Sequence, residues 1–166
     1  MFVVLDLDQT LSDNTHRAHF LTEVPQNWDK FLSPDLVIKD AVIDGVERVL
    51  THFQELKYDL VILTGRNEGL RDVTMRWLLE KLNLAIPDTH LLMRSPGNML
   101  NAAEYKKEQL LSFRQGLENR DNGFLLIDDD AETCAGLESF GVVLKAPECW
   151  PLLFPIYVSM PNDPAQ

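Results

Sequence analysis

Short runs of apolar residues recur along the chain and alternate with longer stretches in which apolar residues are spaced three or four positions apart. The short runs predict five β-strands, at residues 2–5, 60–63, 91–93, 124–127 and 142–144. The longer stretches predict helices between them. Strands that alternate with helices are typical of a parallel sheet. We therefore expect a doubly wound, Rossmann-like α/β fold.

Four amphipathic stretches predict the helices. The last of them, at residues 131–140, is expected to end at Gly141, in the position just past a helix where glycine is common. The other three are predicted from stripes of residues that share one helical face: Val42, Val46, Val49, Leu50 and Phe53; Leu70, Val73, Trp77 and Leu78; and Ala103, Lys106, Leu110, Phe113 and Leu117. Each stripe is the face that we expect to pack on the sheet.

Two segments depart from this alternation. Residues from about 12 to 40 contain two prolines and the aromatics Phe20, Trp28 and Phe31, which predicts a small lid or flap inserted after the first strand. The last twenty residues hold five of the nine prolines, so we expect no regular helix there, an apolar half packed on the domain, and a frayed end. The chain is thus divided into one domain, residues 1–146, and a proline-rich extension, residues 147–166.

Composition narrows the possible partners and the compartment. The 166 residues are enough for one domain, and their net charge of −11 argues against binding to a long duplex or an anionic membrane. Cys134 and Cys149 lack metal-ligand spacing and are expected to be reduced core thiols. The first apolar run is stopped at once by Asp6, so we expect neither a signal peptide nor a membrane span, and a cytoplasmic protein.

Polar residues follow three of the predicted strands directly. The segments are Asp6-Leu7-Asp8-Gln9-Thr10, Thr64-Gly65-Arg66 and Asp128-Asp129-Asp130. Ligands of open parallel sheets bind outside the carboxyl ends of the strands, and carboxylates gathered there repel one another unless a cation neutralises them. Oxygen ligands without histidine or cysteine favour Mg²⁺. Each segment alone also has an ordinary explanation, as a helix cap or a solvated turn.

The order of these segments resembles that of a known superfamily. DLDQT, a strand ending in LTGR, a lysine on a later helix and LLIDDD resemble the four motifs of the haloacid dehalogenase superfamily in its phosphatase branch, over residues 1–146. The segments THRAHF, NWDKF, TGRNEGLRDVTMRWL, LLMR and EYKKEQLL are similar to the 3′-phosphatase domain of bacteriophage-type polynucleotide kinases. The chain contains no GxxxxGK[ST] loop, so no kinase activity is expected.

The resemblance implies a Mg²⁺-dependent phosphomonoester hydrolase that acts on nucleic-acid 3′ ends through an aspartyl-phosphate intermediate. Two alternatives are a nucleotidase acting on free nucleotides and a non-catalytic binding domain that retains the fold. The second is motivated by Gln9, which stands where the family has glycine. Glutamine resists the positive φ that glycine tolerates, which predicts a changed turn and some loss of activity.

The resemblance also implies the role of each catalytic residue. Asp6 would be the nucleophile, already ionised at neutral pH, and Asp8 the general acid and base, a role that needs a raised pKa. Thr64 would hold phosphoryl oxygens with nearby backbone N–H groups, and Lys106 would neutralise the charge that these oxygens share with Asp6. Lys107 is the competing lysine, but Lys106 lies on the apolar stripe of its helix.

The remaining implied residues hold the metal or the substrate. Asp6, Asp128 and Asp129 would bind Mg²⁺ together with the backbone carbonyl of Asp8, whereas Asp130 is expected to cap the following helix. The residues expected near the phosphate or the adjoining strand are Thr10, Gly65, Arg66, Arg94, Arg17 and Arg71. For the arginines, ordinary surface charge is the alternative. Trp28 and Phe31 could stack on a base, although such aromatics more often form the core of a small module.

Overall fold

The computed structural model describes residues 2–117 and 123–153, and places seven strands among them. They are β1 Phe2–Leu5, β2 Ser12–Asp13, β3 Ala41–Val42, β4 Asp59–Asn67, β5 Leu91–Arg94, β6 Phe124–Asp128 and β7 Gly141–Lys145. Five form a parallel sheet in the order β5-β4-β1-β6-β7, and β2 pairs with β3 antiparallel. The chain runs outward from β1 in both directions, so β1 lies at the switch point where such sheets bind ligands.

Helices cover both faces of the sheet. In chain order they are α1 Thr15–Ala18, α2 Trp28–Phe31, α3 Pro34–Val37, α4 Val46–Glu55, α5 Arg71–Leu82, α6 Ala102–Gln115, α7 Ala131–Leu137 and α8 Trp150–Leu153. Alternate residues of a strand point to opposite faces. Val3 and Leu5 of β1 pack in the core formed with α4, α5 and α8, whereas Phe2 and Val4 pack in the core formed with α6 and α7.

The predicted fold class is confirmed, and all five predicted sheet strands are present. The first has the predicted bounds, and the other four are longer by one to five residues. The largest extension is that of β4, which continues past Leu63 to Asn67 with an irregular register against β5. The polar residues placed after the second strand by the sequence therefore belong to the strand itself.

Two predicted boundaries are wrong. Val42 belongs to β3 and not to the helical stripe, because the chain first pairs with β2 and turns at Gly45 before α4 begins at Val46. The helix predicted at residues 131–140 ends as a 3₁₀ turn, Glu138–Phe140, and Gly141 is extended instead of left-handed. Glycine is needed there for a different reason, since a Cβ would lie 2.1 Å from the carbonyl oxygen of Phe124 in the neighbouring strand.

The predicted insertion forms a small helical unit that contains α1, α2 and α3. Its two ends are joined by the pairing of β2 with β3, in the register Ser12↔Val42 and Asp13↔Ala41. Arg17, Phe31 and Asp40 are buried within or beneath it. The insertion is therefore anchored to the domain at both ends and through its interior.

The extension also differs from its prediction. A single helical turn, α8, begins at Trp150, and Pro151 is tolerated because the first turn of a helix needs no backbone donor. Trp150 and Cys149 are buried in the core, whereas Cys134 is half-buried. The rest of the proline-rich segment, including Phe154 and Tyr157, lies outside the described residues. In the described part of the chain, no helix is both long and apolar enough to cross a membrane.

Candidate active site

The carboxyl ends of β1, β4 and β6 line a cleft of about 720 Å³ together with the insertion. From the sheet and its helices, the cleft is lined by the polar groups Asp6, Asp8, Thr64, Arg66, Asn67, Arg94, Lys106, Asp128, Asp129, Asp130 and Thr133, and by Gly65 and Ala102. Leu21, Trp28, Phe31 and Leu32 contribute the apolar wall from the insertion. The segments that the sequence placed at three strand ends thus meet at one site.

A lysine lies between two buried carboxylates at the base of this cleft. Because Leu5 pairs with Ile127, the next residues in each strand, Asp6 and Asp128, stand side by side. Lys106 Nζ donates to Asp6 Oδ1 at 2.6 Å and to Asp128 Oδ2 at 2.5 Å. All three side chains are buried, whereas Lys107 is exposed, so the geometry selects Lys106.

The electrostatic balance of this group is negative. Burial raises the pKa of Asp6 from 3.8 to about 7, in spite of the attraction of Lys106, and the charge of Asp128 raises it further. Burial also raises the pKa of Asp128. The pKa of Lys106 is raised as well, since the two carboxylates outweigh the opposite effect of its burial. Ionisation of both aspartates therefore needs more positive charge than one lysine supplies.

The same carboxylates fit the Mg²⁺ ion implied by the sequence. Asp6, Asp128 and Asp129 each offer an oxygen, and these oxygens all lie within 4.8 Å of one another. Burial, together with the charge of Asp6, raises the pKa of Asp129 to about 6. A set of converging oxygen ligands that carries excess negative charge suits a hard divalent cation. The side chain of Asp8 lies outside this set, so the metal contact predicted for its backbone carbonyl stays a prediction.

The side chain of Asp8 is held by two arginines. Its Oδ1 accepts from Arg17 Nη2 at 2.5 Å, from Arg66 Nη2 at 2.7 Å and from Asn14 Nδ2 at 3.1 Å, and its Oδ2 accepts from Arg66 Nε at 2.8 Å. Burial alone would raise the pKa of Asp8, but Arg66, followed by Arg17, outweighs it and lowers the pKa to about 2. The raised pKa predicted for Asp8 is therefore wrong for the unliganded site.

Arg17 and Arg66 bind carboxylates of the protein instead of lying free for a substrate. Arg17 is fully buried, stacks on the ring of Phe31 at 4.3 Å, and does not line the cleft. Both arginines also bind Asp40, a fully buried residue that no sequence motif indicated. Arg66 does line the cleft, and its Nη1 has no hydrogen-bond partner among the described residues. The substrate contact predicted for Arg17 is not supported, whereas that of Arg66 stays a prediction.

The other two predicted arginines have different positions. Arg94 ends β5 at the wall of the cleft, where its Nη1 donates to the carbonyl oxygen of Leu100 at 2.7 Å and its guanidinium lies 4.3 Å from the centre of the Tyr105 ring. Arg71 does not line the cleft and instead binds Glu68 at 2.7 Å and Asp88 at 3.0 Å. The position of Arg71 therefore fits the alternative that the sequence left open, an ordinary charged side chain of the surface.

Thr64 and Gly65 line the cleft side by side near the end of β4. Thr64 Oγ1 accepts from the backbone N–H of Arg66 at 3.2 Å, which leaves its own proton available. A Cβ at Gly65 would meet nothing within 4 Å, so the protein itself does not require glycine there. Thr10, by contrast, lies behind the site, fully buried with its hydroxyl 3.5 Å from Asp129 Oδ1. It contacts a carboxylate of the proposed metal site instead of lining the cleft.

Gln9 and Asp130 lie next to the acidic residues of the site, and a separate prediction was made for each. Gln9 adopts φ +64°, in the left-handed region that favours glycine, and its side-chain amide donates to Asn14. Glutamine is therefore accommodated there with the strain that a positive φ brings, and the expected change of the turn and loss of activity stay predictions. Asp130 caps α7 as predicted, accepting from the backbone N–H of Thr133 at 2.7 Å.

Trp28 and Phe31, the two aromatic residues considered for base stacking, differ in exposure. Phe31 is buried beneath Arg17, as the core interpretation predicts. Trp28 is 51% exposed and lines the cleft, with its ring edge-on to Phe31 at 5.9 Å. Its indole N–H donates to Gln26 Oε1 at 3.2 Å. The cleft therefore has one flat aromatic surface that remains accessible.

Binding of Mg²⁺ to the three carboxylates should stabilise the folded protein. At a Mg²⁺ concentration about 100 times its Kd, the expected gain is about 2.7 kcal/mol, which raises the melting temperature by roughly 5–10 °C. Asp129→Asn removes one ligand and should abolish most of this shift in a thermal-unfolding titration. Asp130→Asn, the same change one residue further along, should retain it, because asparagine still caps α7. Equal shifts in the two variants would contradict the site.

Solved structures provide the comparison, since no protein-family model and no curated protein matches the chain. Two chains of the Pnkp1/Rnl/Hen1 complex, one titled an RNA repair complex, are 22% and 24% identical over 86% of this chain, with TM-scores of 0.62 and 0.64. The class C acid phosphatase from Bacillus anthracis is 17% identical over 87% of this chain and 66% of its own, with a TM-score of 0.58.

The match covers 44% and 41% of the two chains from the repair complex, so this chain spans less than half of their length. At sequence identities this low, structural similarity shows a shared fold and does not show a shared activity or substrate. The strand order, the switch point at β1 and these neighbours agree on one architecture. The chain therefore shares the fold of these neighbours, in agreement with its resemblance to the haloacid dehalogenase superfamily.

Proposed function

We propose that the protein is a Mg²⁺-dependent phosphomonoester hydrolase in which Asp6 is the nucleophile. One observation carries the proposal: Asp6, Lys106, Asp128 and Asp129 converge in an accessible cleft at the switch point of the sheet. This group combines an anionic nucleophile, a fixed cation and oxygen ligands for a metal. Transfer of a phosphoryl group needs these three components, since most of its catalysis is positioning and charge neutralisation.

The reaction has two displacements at phosphorus. In the first, a carboxylate oxygen of Asp6 forms a bond to phosphorus while the ester P–O bond breaks, and Asp8 gives a proton to the leaving oxygen. In the second, Asp8 takes a proton from water, whose oxygen attacks the aspartyl phosphate. The phosphorus–Asp6 bond then breaks, and inorganic phosphate and the free carboxylate are regenerated.

The two half-reactions make opposite demands on Asp8. With its pKa lowered to about 2, Asp8 is ionised in the unliganded site and ready to act as the base. Acting as the acid requires a higher pKa. A bound phosphate ester brings negative charge next to Asp8, and a nearby like charge raises the pKa of a carboxyl group. The substrate thus contributes to the protonation that its own cleavage needs.

The non-bridging phosphoryl oxygens have several donors within the cleft. The hydroxyl of Thr64, the backbone N–H of Gly65 and the ammonium of Lys106 are the groups that we assign to them. Arg66 Nη1 is a further unpaired donor. Asp6, Asp128 and Asp129 would hold Mg²⁺, which would supply positive charge beside the carboxylates and the phosphoryl oxygens. Donors arranged in advance of the reaction lower the barrier because they need no reorganisation.

Three features support a nucleic-acid 3′ end as the substrate. The small insertion leaves the cleft open to solvent at its mouth, so a polymer end can enter. Trp28 provides an aromatic surface on which a base can stack, an interaction worth about 1–3 kcal/mol. The similarity to the Pnkp1/Rnl/Hen1 chains adds support at the level of the fold. The net charge of −11 favours the alternative, a free nucleotide, because a short substrate carries fewer phosphates into that field.

Phosphate release from a panel of esters tests the proposal. The panel contains a 3′-phosphorylated oligonucleotide, a 3′-mononucleotide, a 5′-mononucleotide, a sugar phosphate and 4-nitrophenyl phosphate, each with Mg²⁺ and with EDTA. We expect turnover of the 3′-phosphates, loss of turnover with EDTA, and no turnover by Asp6→Asn. A folded wild-type protein that releases phosphate from none of them would support the non-catalytic alternative.

Substitution of Gly65 should separate catalysis from folding. A Cβ there meets no protein atom but would enter the space in which the phosphoryl group must approach the backbone. We expect Gly65→Ala to lower kcat/KM by about 10- to 100-fold, since small displacements of reacting groups have effects of this size. Gly123→Ala is the matched control, because its Cβ also meets nothing, at the opposite end of the sheet. Equal activities of the two variants would argue against phosphate binding at Gly65.

Substitution of Trp28 should distinguish base-bearing substrates from others. We expect Trp28→Ala to raise KM for the 3′-phosphorylated oligonucleotide by roughly 5- to 150-fold, the equivalent of the stacking energy. KM for 4-nitrophenyl phosphate should change less, and Trp28→Phe, which keeps an aromatic face, should restore much of the oligonucleotide affinity. A KM that rises equally for both substrates would contradict stacking.

A further inference from the structure

We infer that Asp40 is a positioning residue for the general acid and base. It holds Arg17 and Arg66 so that their contacts concentrate on Oδ1 of Asp8 and leave Oδ2 available for proton transfer. This inference rests on the proposed function and assigns a role to a residue outside the four sequence motifs.

Asp40 occupies a central and rigid position. It lies where the insertion ends, immediately before β3, and its side chain is fully buried. Arg17 donates to both of its oxygens, from Nε at 2.8 Å and from Nη2 at 2.6 Å, and Arg66 Nη2 donates to Oδ2 at 2.8 Å. Its backbone carbonyl accepts from the indole N–H of Trp77 on α5 at 2.9 Å. Asp40 therefore ties both guanidiniums to the body of the domain.

The two arginines divide between the two carboxylates in a definite way. Arg17 forms its two-point contact with Asp40 and reaches Asp8 with Nη2 alone. Arg66 forms its two-point contact with Asp8 and reaches Asp40 with Nη2 alone. The two arginines and the two carboxylates are thus paired in a buried network, and at its edge His16 Nε2 lies 2.9 Å from Asp40 Oδ1. Loss of one member of such a network is strongly destabilising, because it leaves another buried charge uncompensated.

The consequence for Asp8 is an unequal occupation of its two oxygens. Oδ1 accepts three hydrogen bonds, from Arg17, Arg66 and Asn14, whereas Oδ2 accepts one, from Arg66 Nε. A carboxylate oxygen can exchange a proton only through a lone pair that is not already used. Oδ2 is the oxygen that meets this condition, and the side chain remains 24% exposed.

Loss of the negative charge at Asp40 would remove this asymmetry. The planar fork of Arg17 is suited to bind both oxygens of one carboxylate, and without Asp40 the nearest carboxylate is that of Asp8. Oδ2 of Asp8 would then accept a second guanidinium N–H besides that of Arg66 Nε, and its remaining lone pair would be occupied. Arg17 comes from the start of the insertion and Asp40 from its end, so the insertion has a part in proton transfer as well as in forming the wall of the cleft.

The test compares esters that differ in their need for an acid. Asp40→Asn preserves the shape of the side chain and removes its charge. We expect kcat to fall by about 10-fold or more for nucleoside 3′-phosphates, whose alkoxide must be protonated, because general acid catalysis contributes about 10²–10⁴-fold. For 4-nitrophenyl phosphate, with a stable leaving group, the fall should be smaller, and KM should change little for either ester. Asp8→Asn defines the full profile of lost acid catalysis, which Asp40→Asn should share at lower amplitude.

Two further variants keep the result interpretable. Asp44→Asn makes the same change at an exposed position four residues away and should leave both rates unchanged. Asp40→Glu keeps the charge but moves the carboxylate by one methylene, so it should give the same ester-dependent loss at lower amplitude even if Asp40→Asn does not fold. Equal loss for both esters in the folded variants, or no loss, overturns the inference while the proposed function stands. A wild-type protein without phosphatase activity overturns both.

Discussion

The site depends on compensation of carboxylate charge at the edge of the sheet. The parallel pairing of β1 with β6 forces Asp6 and Asp128 together in a buried position, and burial raises the pKa of both. Lys106 enters from α6 and contacts each of them. A buried pair that loses one partner is destabilised by roughly 3–5 kcal/mol. The position of α6, the ionisation of Asp6, which we propose as the nucleophile, and the fit of the proposed metal all follow from this one constraint.

The negative charges of Asp6 and Asp8, the two aspartates of the first motif, are balanced by different neighbouring groups. Asp6 belongs to a group with more negative than positive charge, which leaves room for a divalent cation. Asp8, two residues further on, belongs to a group in which Arg17 and Arg66 balance Asp8 and Asp40. In the unliganded site the pKa is about 7 for Asp6 and about 2 for Asp8, the reverse of what a nucleophile and a general acid need. In the proposed reaction, a cation bound at Asp6 lowers its pKa and a bound phosphate ester raises that of Asp8, so that the two ligands set the two roles.

Sequence patterns predicted the sheet, the edge that holds the site and the choice of Lys106, because each depends on local periodicity or on the residue that follows a strand. The partners of Asp8 could not be predicted in this way. Arg17 and Asp40 lie in an insertion without periodicity, and burial of a charged side chain depends on tertiary contacts. Arginines near a phosphate motif were interpreted as substrate ligands, whereas Arg17 binds a neighbouring carboxylate. Gly141 shows the same limit, since its neighbour in space is Phe124 of another strand.

The buried network also constrains how the insertion can behave. Its interior holds Arg17 and Asp40, both fully buried and both paired with residues of the site. Lifting the whole insertion away would separate these ions at a cost of several kcal/mol for each uncompensated charge. The expected lid is therefore better described as a fixed wall. In the proposed reaction, access to Asp6 then depends on the open mouth of the cleft, beside Trp28, and the shape of that mouth is the feature that would select among esters.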